Sequence, residues 1–333
     1  MIKEMPKALL DLFILTGDDD RETSVRAQQQ FAKAITTPLR QGILVGDIST
    51  SIFEAMVWPD GKPVEFPLDL LSPGEEDEHV AYTMPFQGRI PERHVEGTYV
   101  TVPSYQIANA IDWNLKYARE ANYLVAQRCM DVFKAGIVQK TNDDGWHTLL
   151  GAGADRGIVI YDADASAGQF TKRLVSLMST MMRRNSGGNT ASLKRGSLTD
   201  LYVSPESIED VRNWGVDQVD EITRREIFVA SQNGELVVRI FGVNLHPIDE
   251  LGENQVYQDY FTDVLSGTLA SADVELVVGL DLGMNDSFLM PIKRPLSVSE
   301  DPQLHRRQLA GIYGAREQGF AVLDNRRVML GSY

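Results

Sequence analysis

Two runs of alternating apolar residues, Val64, Phe66, Leu68, Leu70 and Val80, Tyr82, Met84, Phe86, flank the segment Ser72-Pro73-Gly74-Glu75-Glu76-Asp77-Glu78. Alternation with period two marks half-buried strands, and Pro-Gly followed by acids marks the turn between them. The stretch from Pro63 to Ile90 is therefore expected to form a long β-hairpin with an acidic tip at Glu75, Glu76, Asp77 and Glu78. A solitary two-stranded ribbon is only marginally stable in water. The apolar residues Phe66, Leu68, Tyr82, Met84 and Phe86 thus need a surface to dock on. Pro67, Pro85 and Pro91 remove ladder donors, which places the ribbon at a sheet edge or projecting from the body.

The period then changes. From Ile111 to Val138 apolar residues recur at three- and four-residue steps (Ile111, Leu115, Ala118, Ala121, Val125, Cys129, Val132), which predicts one long spine helix ended by Thr141-Asn142-Asp143-Asp144-Gly145 and followed by a small-residue loop, Gly151 to Gly157. Shorter helices are predicted over Arg21–Thr36, with a stripe of Val25, Phe31, Ala32 and Ile35 that must lean on another surface, and over Ala167–Asn185. Ser204 should cap a helix from Pro205 to Asn213. Strands are expected at Leu198–Val203, Glu226–Ala230, Leu236–Phe241, Val274–Leu280, Phe288–Pro291, Gln308–Ala315 and Gly319–Leu323. Asn233-Gly234 should turn a hairpin, and Arg316-Glu317-Gln318 should connect the last two strands. The sum is a mixed α+β chain.

Composition narrows the function classes. The 333 residues are 43% hydrophobic, enough for a sizeable core. A net charge of −15 leaves no basic footprint for gripping phosphate backbones. The single cysteine, Cys129, excludes an intrachain disulfide framework and suits a reducing compartment. The apolar patch Ala8–Leu15 is too short to span a bilayer and is followed by acids, so a soluble, non-secreted protein is expected.

No catalytic constellation emerges. In Gly151-Ala152-Gly153-Ala154-Asp155-Arg156-Gly157 the third glycine comes one residue late for a dinucleotide loop, and the apolar run Ile158-Val159-Ile160 follows instead of a helix. Asp162-Ala163-Asp164 begins like a calcium loop, but Ala167 and Arg173 stand where glycine and glutamate are required. These acids should lead into the next helix. The five histidines, His79, His94, His147, His246 and His305, lack metal-ligand spacing. Cys129 lies on the helix stripe as a buried, inert thiol. No cofactor is expected, and the chain is not expected to be an enzyme.

Several stretches carry a resemblance: Ala110-Ile111-Asp112-Trp113-Asn114-Leu115, Asp144-Gly145-Trp146-His147-Thr148-Leu149-Leu150, Thr199-Asp200-Leu201-Tyr202-Val203-Ser204-Pro205-Glu206, Ile240-Phe241-Gly242-Val243-Asn244-Leu245 and Gly319-Phe320-Ala321-Val322-Leu323-Asp324-Asn325. With the order of elements, they resemble the Hong Kong 97-type fold of the major capsid proteins of tailed double-stranded DNA bacteriophages, over nearly the whole chain. The resemblance implies an N-terminal arm at 1–41, an E-loop region with the extended hairpin at 42–102, a P-domain with the spine helix at 103–160, a mixed α/β A-domain at 161–280 and strands returning to the P-domain at 281–333.

It further implies self-assembly into hexamers and pentamers of an icosahedral shell that encloses double-stranded DNA without specific recognition, assembled in the host bacterial cytoplasm and residing in the virion. The implied partners are other copies of the chain, a portal protein and a separate scaffolding or decoration protein; no membrane is involved. The acidic tip Glu75–Glu78 and the arm 1–39 would overlap neighbouring subunits, and the loops near Leu251–Gly267 and Gly187–Gly196 would meet at the capsomer axis. So few residues precede Arg21 that neither an N-terminal scaffolding domain nor N-terminal maturation cleavage is expected. Lys62, the only lysine between Lys33 and Lys116, is expected to be a solvated turn residue and not a crosslink donor. The same fold builds encapsulin nanocompartments, which is the alternative reading; an α/β enzyme with a nonstandard site is the remote one.

Overall fold

The computed structural model of the protein describes residues 7–18, 20–46, 49–68, 98–120, 123–164, 168–185, 196–214, 228–230, 236–269, 275–283, 287–301 and 304–333. Helices α1 (Lys7–Leu15), α2 (Arg21–Gly46) and α3 (Ser49–Ile52) lead into strands β1 (Glu54–Val57), β2 (Val64–Leu68), β3 (Thr98–Val102) and β4 (Tyr105–Asn114). The short α4 (Leu115–Arg119) precedes the longest helix, α5 (Tyr123–Asp155), then β5 (Val159–Tyr161), α6 (Lys172–Asn185), β6 (Asp200–Val203) and α7 (Pro205–Asn213). Strands β7 (Phe228–Ala230), β8 (Leu236–Ile240) and β9 (Val243–Pro247) follow, and α8 (Val256–Asp259) continues into a π-helical turn, Tyr260–Val264. The chain closes with β10 (Leu276–Leu280), β11 (Phe288–Glu300), β12 (Leu309–Gln318), β13 (Ala321–Val322) and β14 (Val328–Ser332).

Two compact units result, one from Met1–Glu65, Thr101–Gly145 and Leu289–Ala321, the other from Phe66–Val100, Trp146–Phe288 and Val322–Tyr333. The first holds a sheet ordered β1-β11-β12-β4, with β13 on β11. Its core joins Phe13 of α1, Phe31, Ala32 and Ile35 of α2, Trp113 of β4, Phe133 and Ile137 of α5, and Leu296, Ala310 and Ile312 of the sheet. The rings of Phe13, Phe31 and Trp113 meet at centroid distances of 5.8 to 6.1 Å. The stripe of α2 therefore rests on the chain's own core and not on a neighbour, and the helix runs ten residues beyond the expected Thr36, to Gly46.

The expected spine helix is displaced toward the C-terminus. Residues 105–114 form β4 because they pair with all of β12, from Leu309↔Asn114 to Gln318↔Tyr105. Ile107 and Trp113 are buried along it, a strand's alternation that the helical reading of Ile111 onward did not use. Asn114 then caps α4, accepting from the Lys116 amide. At the other end α5 continues through Thr141–Gly145, where a stop was expected, to Asp155. Each polar residue there has a use that permits helix: the Thr141 hydroxyl donates to the Ile137 carbonyl, Asn142 accepts from the backbone and hydroxyl of Ser49, and Asp144 pairs with Lys140 one turn back. With 33 residues α5 is about 50 Å long.

Further differences follow the same logic. Arg316–Gln318, expected as a connection, belong to β12, where they pair with Tyr105–Ile107. β11 runs to Glu300, well past the expected Pro291, because β12 pairs along it with two register shifts. β2 pairs with β3. The expected second arm of the hairpin, Val80 to Phe86, and its tip lie outside the described residues.

The second unit carries a seven-stranded sheet ordered β5-β14-β10-β6-β9-β8-β7. The predicted hairpin appears as antiparallel β7 and β8, and the unpredicted β9 lies between β8 and β6, parallel to the latter. On one face α6 and the segment before it bury Phe170, Leu174, Val175, Met178 and Met182 against Leu201, Val203, Val238, Ile240, Val243 and Leu245. α6 begins at Lys172, five residues later than expected. Tyr202, pointing to the opposite face by strand alternation, packs edge-on against Trp146, which stacks on Tyr257. Ser204 caps α7 as expected, accepting from the Ser207 amide.

Candidate interaction surfaces and polar sites

Among the described residues, a dense polar cluster surrounds Tyr333. The Tyr333 hydroxyl donates to Glu275 Oε2 at 2.6 Å and lies 3.0 Å from Ser204 Oγ, while Ser204 and Ser207 complete the set and Ser204 also bonds Glu275. Backbone bonds run both ways between Glu275 and Tyr333. Burial and the Glu275 hydrogen bond both push the Tyr333 phenol far up, so it keeps its proton at neutral pH. Among the described residues no histidine stands beside the two serines, and the arrangement ties Tyr333 and Glu275 to the cap of α7.

A second cluster sits on the strands β6 and β9. His246 Nε2 lies 2.8 Å from Asp200 Oδ1, which also accepts from the Asn244 amide at 3.2 Å, and the imidazole stacks on Tyr202. Burial works to raise the Asp200 carboxyl, but hydrogen bonds from His246, Thr199 and Asn244 outweigh it and lower it. The pair ties two parallel strands together.

Each sequence candidate for chemistry among the described residues has identifiable structural surroundings. Asp162 accepts from the Thr171 hydroxyl, and both Asp162 and Asp164 pair with Arg173, so the calcium-like segment is an ion-paired lead-in to α6. Gly151 to Asp155 are helical, and only Arg156 and Gly157 turn. Arg156 donates to the carbonyls of Asn325, Arg326 and Val328. Cys129 is half-buried, its thiol pushed up by burial and by the charge of Asp112. Lys62 is exposed in a turn. Among the described residues, no group of His, Cys, Asp and Glu is placed to hold a metal ion, and no helix is long and apolar enough to cross a membrane.

Of the residues expected to make contacts between subunits, Glu75, Glu76, Asp77, Glu78, Tyr82, Met84 and Phe86 lie outside the described residues, as does the side chain of Leu68. Phe66 is 7% exposed in the single chain. The apolar side chains that do face solvent are others: Val57, Tyr161, Val256 and Val264 among them, and Phe241 at 69%. Phe241 and Gly242 connect β8 to β9 with φ of +50° and +84°, positive at both central positions as in a type I′ turn. Asn-Gly is the usual pair in such a turn. A bulky residue in the left-handed region costs about 1–2 kcal/mol, so this exposed phenylalanine is held at a local conformational cost. The signal was in the sequence, as Phe-Gly between the apolar runs 236–240 and 243–245, but reading Leu236–Phe241 as strand concealed it.

On the same sheet, a cavity of about 370 Å³ opens beside β5, lined by the end of α5 and by the segment after the π-helical turn, including Gly157, Ile158, Val159, Phe261, Leu265 and Gly267. Gly267 is required there, since a Cβ would come within 2.2 Å of the Phe261 ring. The loop at Leu251–Gly267, expected at a capsomer axis, is thus partly core, through Leu251, Tyr257 and Phe261, and partly the wall of this cavity.

No protein-family model matches the sequence, and no curated protein matches it in sequence. Solved structures do match in fold. The capsid asymmetric unit of cyanophage Pam1 superposes with a TM-score of 0.54 at 12% identity, covering 84% of this chain and 87% of its own. The capsid of the native GTA particle gives 0.52 at 12%, covering 88% and 90%. The holo-SrpI encapsulin complex from Synechococcus elongatus gives 0.51 at 13%, covering 85% of each chain. The chain has the Hong Kong 97-type fold, a mixed α+β architecture.

Proposed function

We propose that this chain is the major capsid protein of a tailed bacteriophage, self-assembling into hexamers and pentamers that close an icosahedral head around double-stranded DNA. The observation that carries this reading is the shared fold along at least 84% of the chain with capsid and encapsulin subunits. Exposed apolar side chains such as Phe241 and Val264 supply material for contacts between copies. Function on this reading is interface geometry: many identical contacts, each joining different patches of two subunits, close rings and then a shell. The net charge of −15 suits a wall that encloses DNA without clamping it. The protein would act without catalysis or cofactor, assemble in the host cytoplasm and work with a portal protein and a separate scaffolding or decoration protein.

The likeness to an encapsulin keeps a second reading in place, a nanocompartment filled with protein. Expression in bacteria followed by sedimentation and negative-stain microscopy tests the shell, expected as rings, tubes or closed particles. Co-expression with the portal and packaging proteins of its source tests the contents: nuclease-resistant DNA supports the capsid, and a co-purifying enzyme supports the nanocompartment. A chain that stays monomeric at all protein and salt concentrations refutes both.

A further inference from the structure

We propose that Phe241 is the plug of a head-to-tail contact between copies of this chain, seated in the neighbour's cavity beside β5. The proposal rests on the shell reading and gives it a specific junction. Three observations point to it. The β8–β9 turn holds a large aromatic residue, 69% exposed, at a φ of +50°, a position that asparagine or glycine fills with less strain. Such a feature is maintained when something outside the subunit uses it. The cavity of about 370 Å³ is walled by apolar and small residues, among them Ile158, Val159, Phe261, Leu265 and Gly267, and has room for a phenyl ring.

The positions of plug and cavity select the occupant. Both belong to the seven-stranded sheet, but the cavity is at the β5 edge and the turn begins β9, four strands away in the order β5-β14-β10-β6-β9. At about 4.8 Å per strand this is roughly 19 Å, so a subunit cannot fill its own cavity, whereas a second copy presents the plug to it. A contact between different patches of two copies is heterologous and repeats around an axis until it closes a ring. Charge agrees with this direction. Arg239 is exposed on the strand entering the turn, while Asp155 and Asp263 are exposed in the segments flanking the cavity. In a chain of net charge −15, a cation beside the plug and anions beside the cavity favour this pairing over a like-charged one. A single phenylalanine buries about 150–250 Å², so it acts as an anchor within a larger interface.

The test uses the full chain and two substitutions. Phe241→Asn removes the plug and places a favoured residue in the turn; Ala154→Arg fills the cavity from α5, with Thr268→Trp as a second blocking variant if the first does not fold. Sedimentation of the wild type should show rings or closed particles. Each variant alone should associate on the order of ten- to a hundredfold more weakly, as for loss of an anchoring aromatic, with Phe241→Asn melting no lower than the wild-type subunit. The distinguishing result is the mixture. Plugless and blocked subunits at equal amounts retain one intact junction between them, so they should form heterodimers and no closed particles. The proposal is overturned if Phe241→Asn assembles like the wild type, if it loses its fold, or if the mixture sediments as the sum of its parts. A wild type that stays monomeric overturns the shell reading as well, which separates the two failures.

Discussion

Gly145 and Gly151 lie in the same helix, α5, and replacing each by alanine should move stability in opposite directions. In a helix interior alanine is favoured over glycine by about 0.8–1.0 kcal/mol. At Gly151 a new Cβ meets nothing within 4 Å, so Gly151→Ala should keep the gain of about 1 kcal/mol. At Gly145 the Cβ would lie 2.9 Å from Ser49 Cβ and 3.4 Å from the Phe320 ring. Ser49 cannot swing aside, because its amide and hydroxyl are both bonded to Asn142 Oδ1. Overpacking of this kind costs about 1–3 kcal/mol, which meets or exceeds the helix gain. Gly145→Ala should therefore be destabilising by up to about 2 kcal/mol, and the two variants should differ by about 1–3 kcal/mol. Urea unfolding followed by circular dichroism, with slopes compared to confirm an unchanged transition, measures both on one scale. If Gly145→Ala stabilises as much as Gly151→Ala, α5 is not held against Ser49. The account of why Thr141–Gly145 is helix would then be wrong.

The Asp200 carboxyl is held below its ordinary value by His246, Thr199 and Asn244 against the effect of burial, so its stabilisation is present above the usual carboxylate range and is lost as pH falls through the lowered value. Asp200→Asn should be less stable than wild type at neutral pH, with the gap closing as pH drops below about 4; a gap unchanged down to pH 2 would show that the charged form is not favoured. Cys129, half-buried with its thiol pushed up by burial and Asp112, should react with a neutral alkylating reagent at pH 8 at least several-fold more slowly than a free cysteine, and labelling at the free rate would mean this face of α5 is open.

The sequence by itself determined what short-range chemistry decides. Ser204 followed by Pro205 starts α7 because cap, proline and first turn are adjacent residues, and the antiparallel pair β7 and β8 was expected from two apolar runs close in the sequence, although the turn expected at Asn233-Gly234 lies outside the described residues. The α+β class was legible for the same reason. Tertiary contacts decided the rest. Ile111 and Trp113 satisfy a helical stripe and a strand's alternation alike; only pairing with Ile312 and Ala310 of β12 chooses strand. Thr141, Asn142, Asp144 and Gly145 form a good stop signal alone, until Ser49, 92 residues away along the chain from Thr141, bonds Asn142 and takes the space that a Cβ at Gly145 would need. Phe241 shows the same limit at the candidate contact surface. Its neighbours predict a turn near Gly242, but its exposure and its distance from the cavity depend on where β9 inserts, parallel to β6, and a parallel pairing leaves no local trace because its partners are joined through more than forty residues.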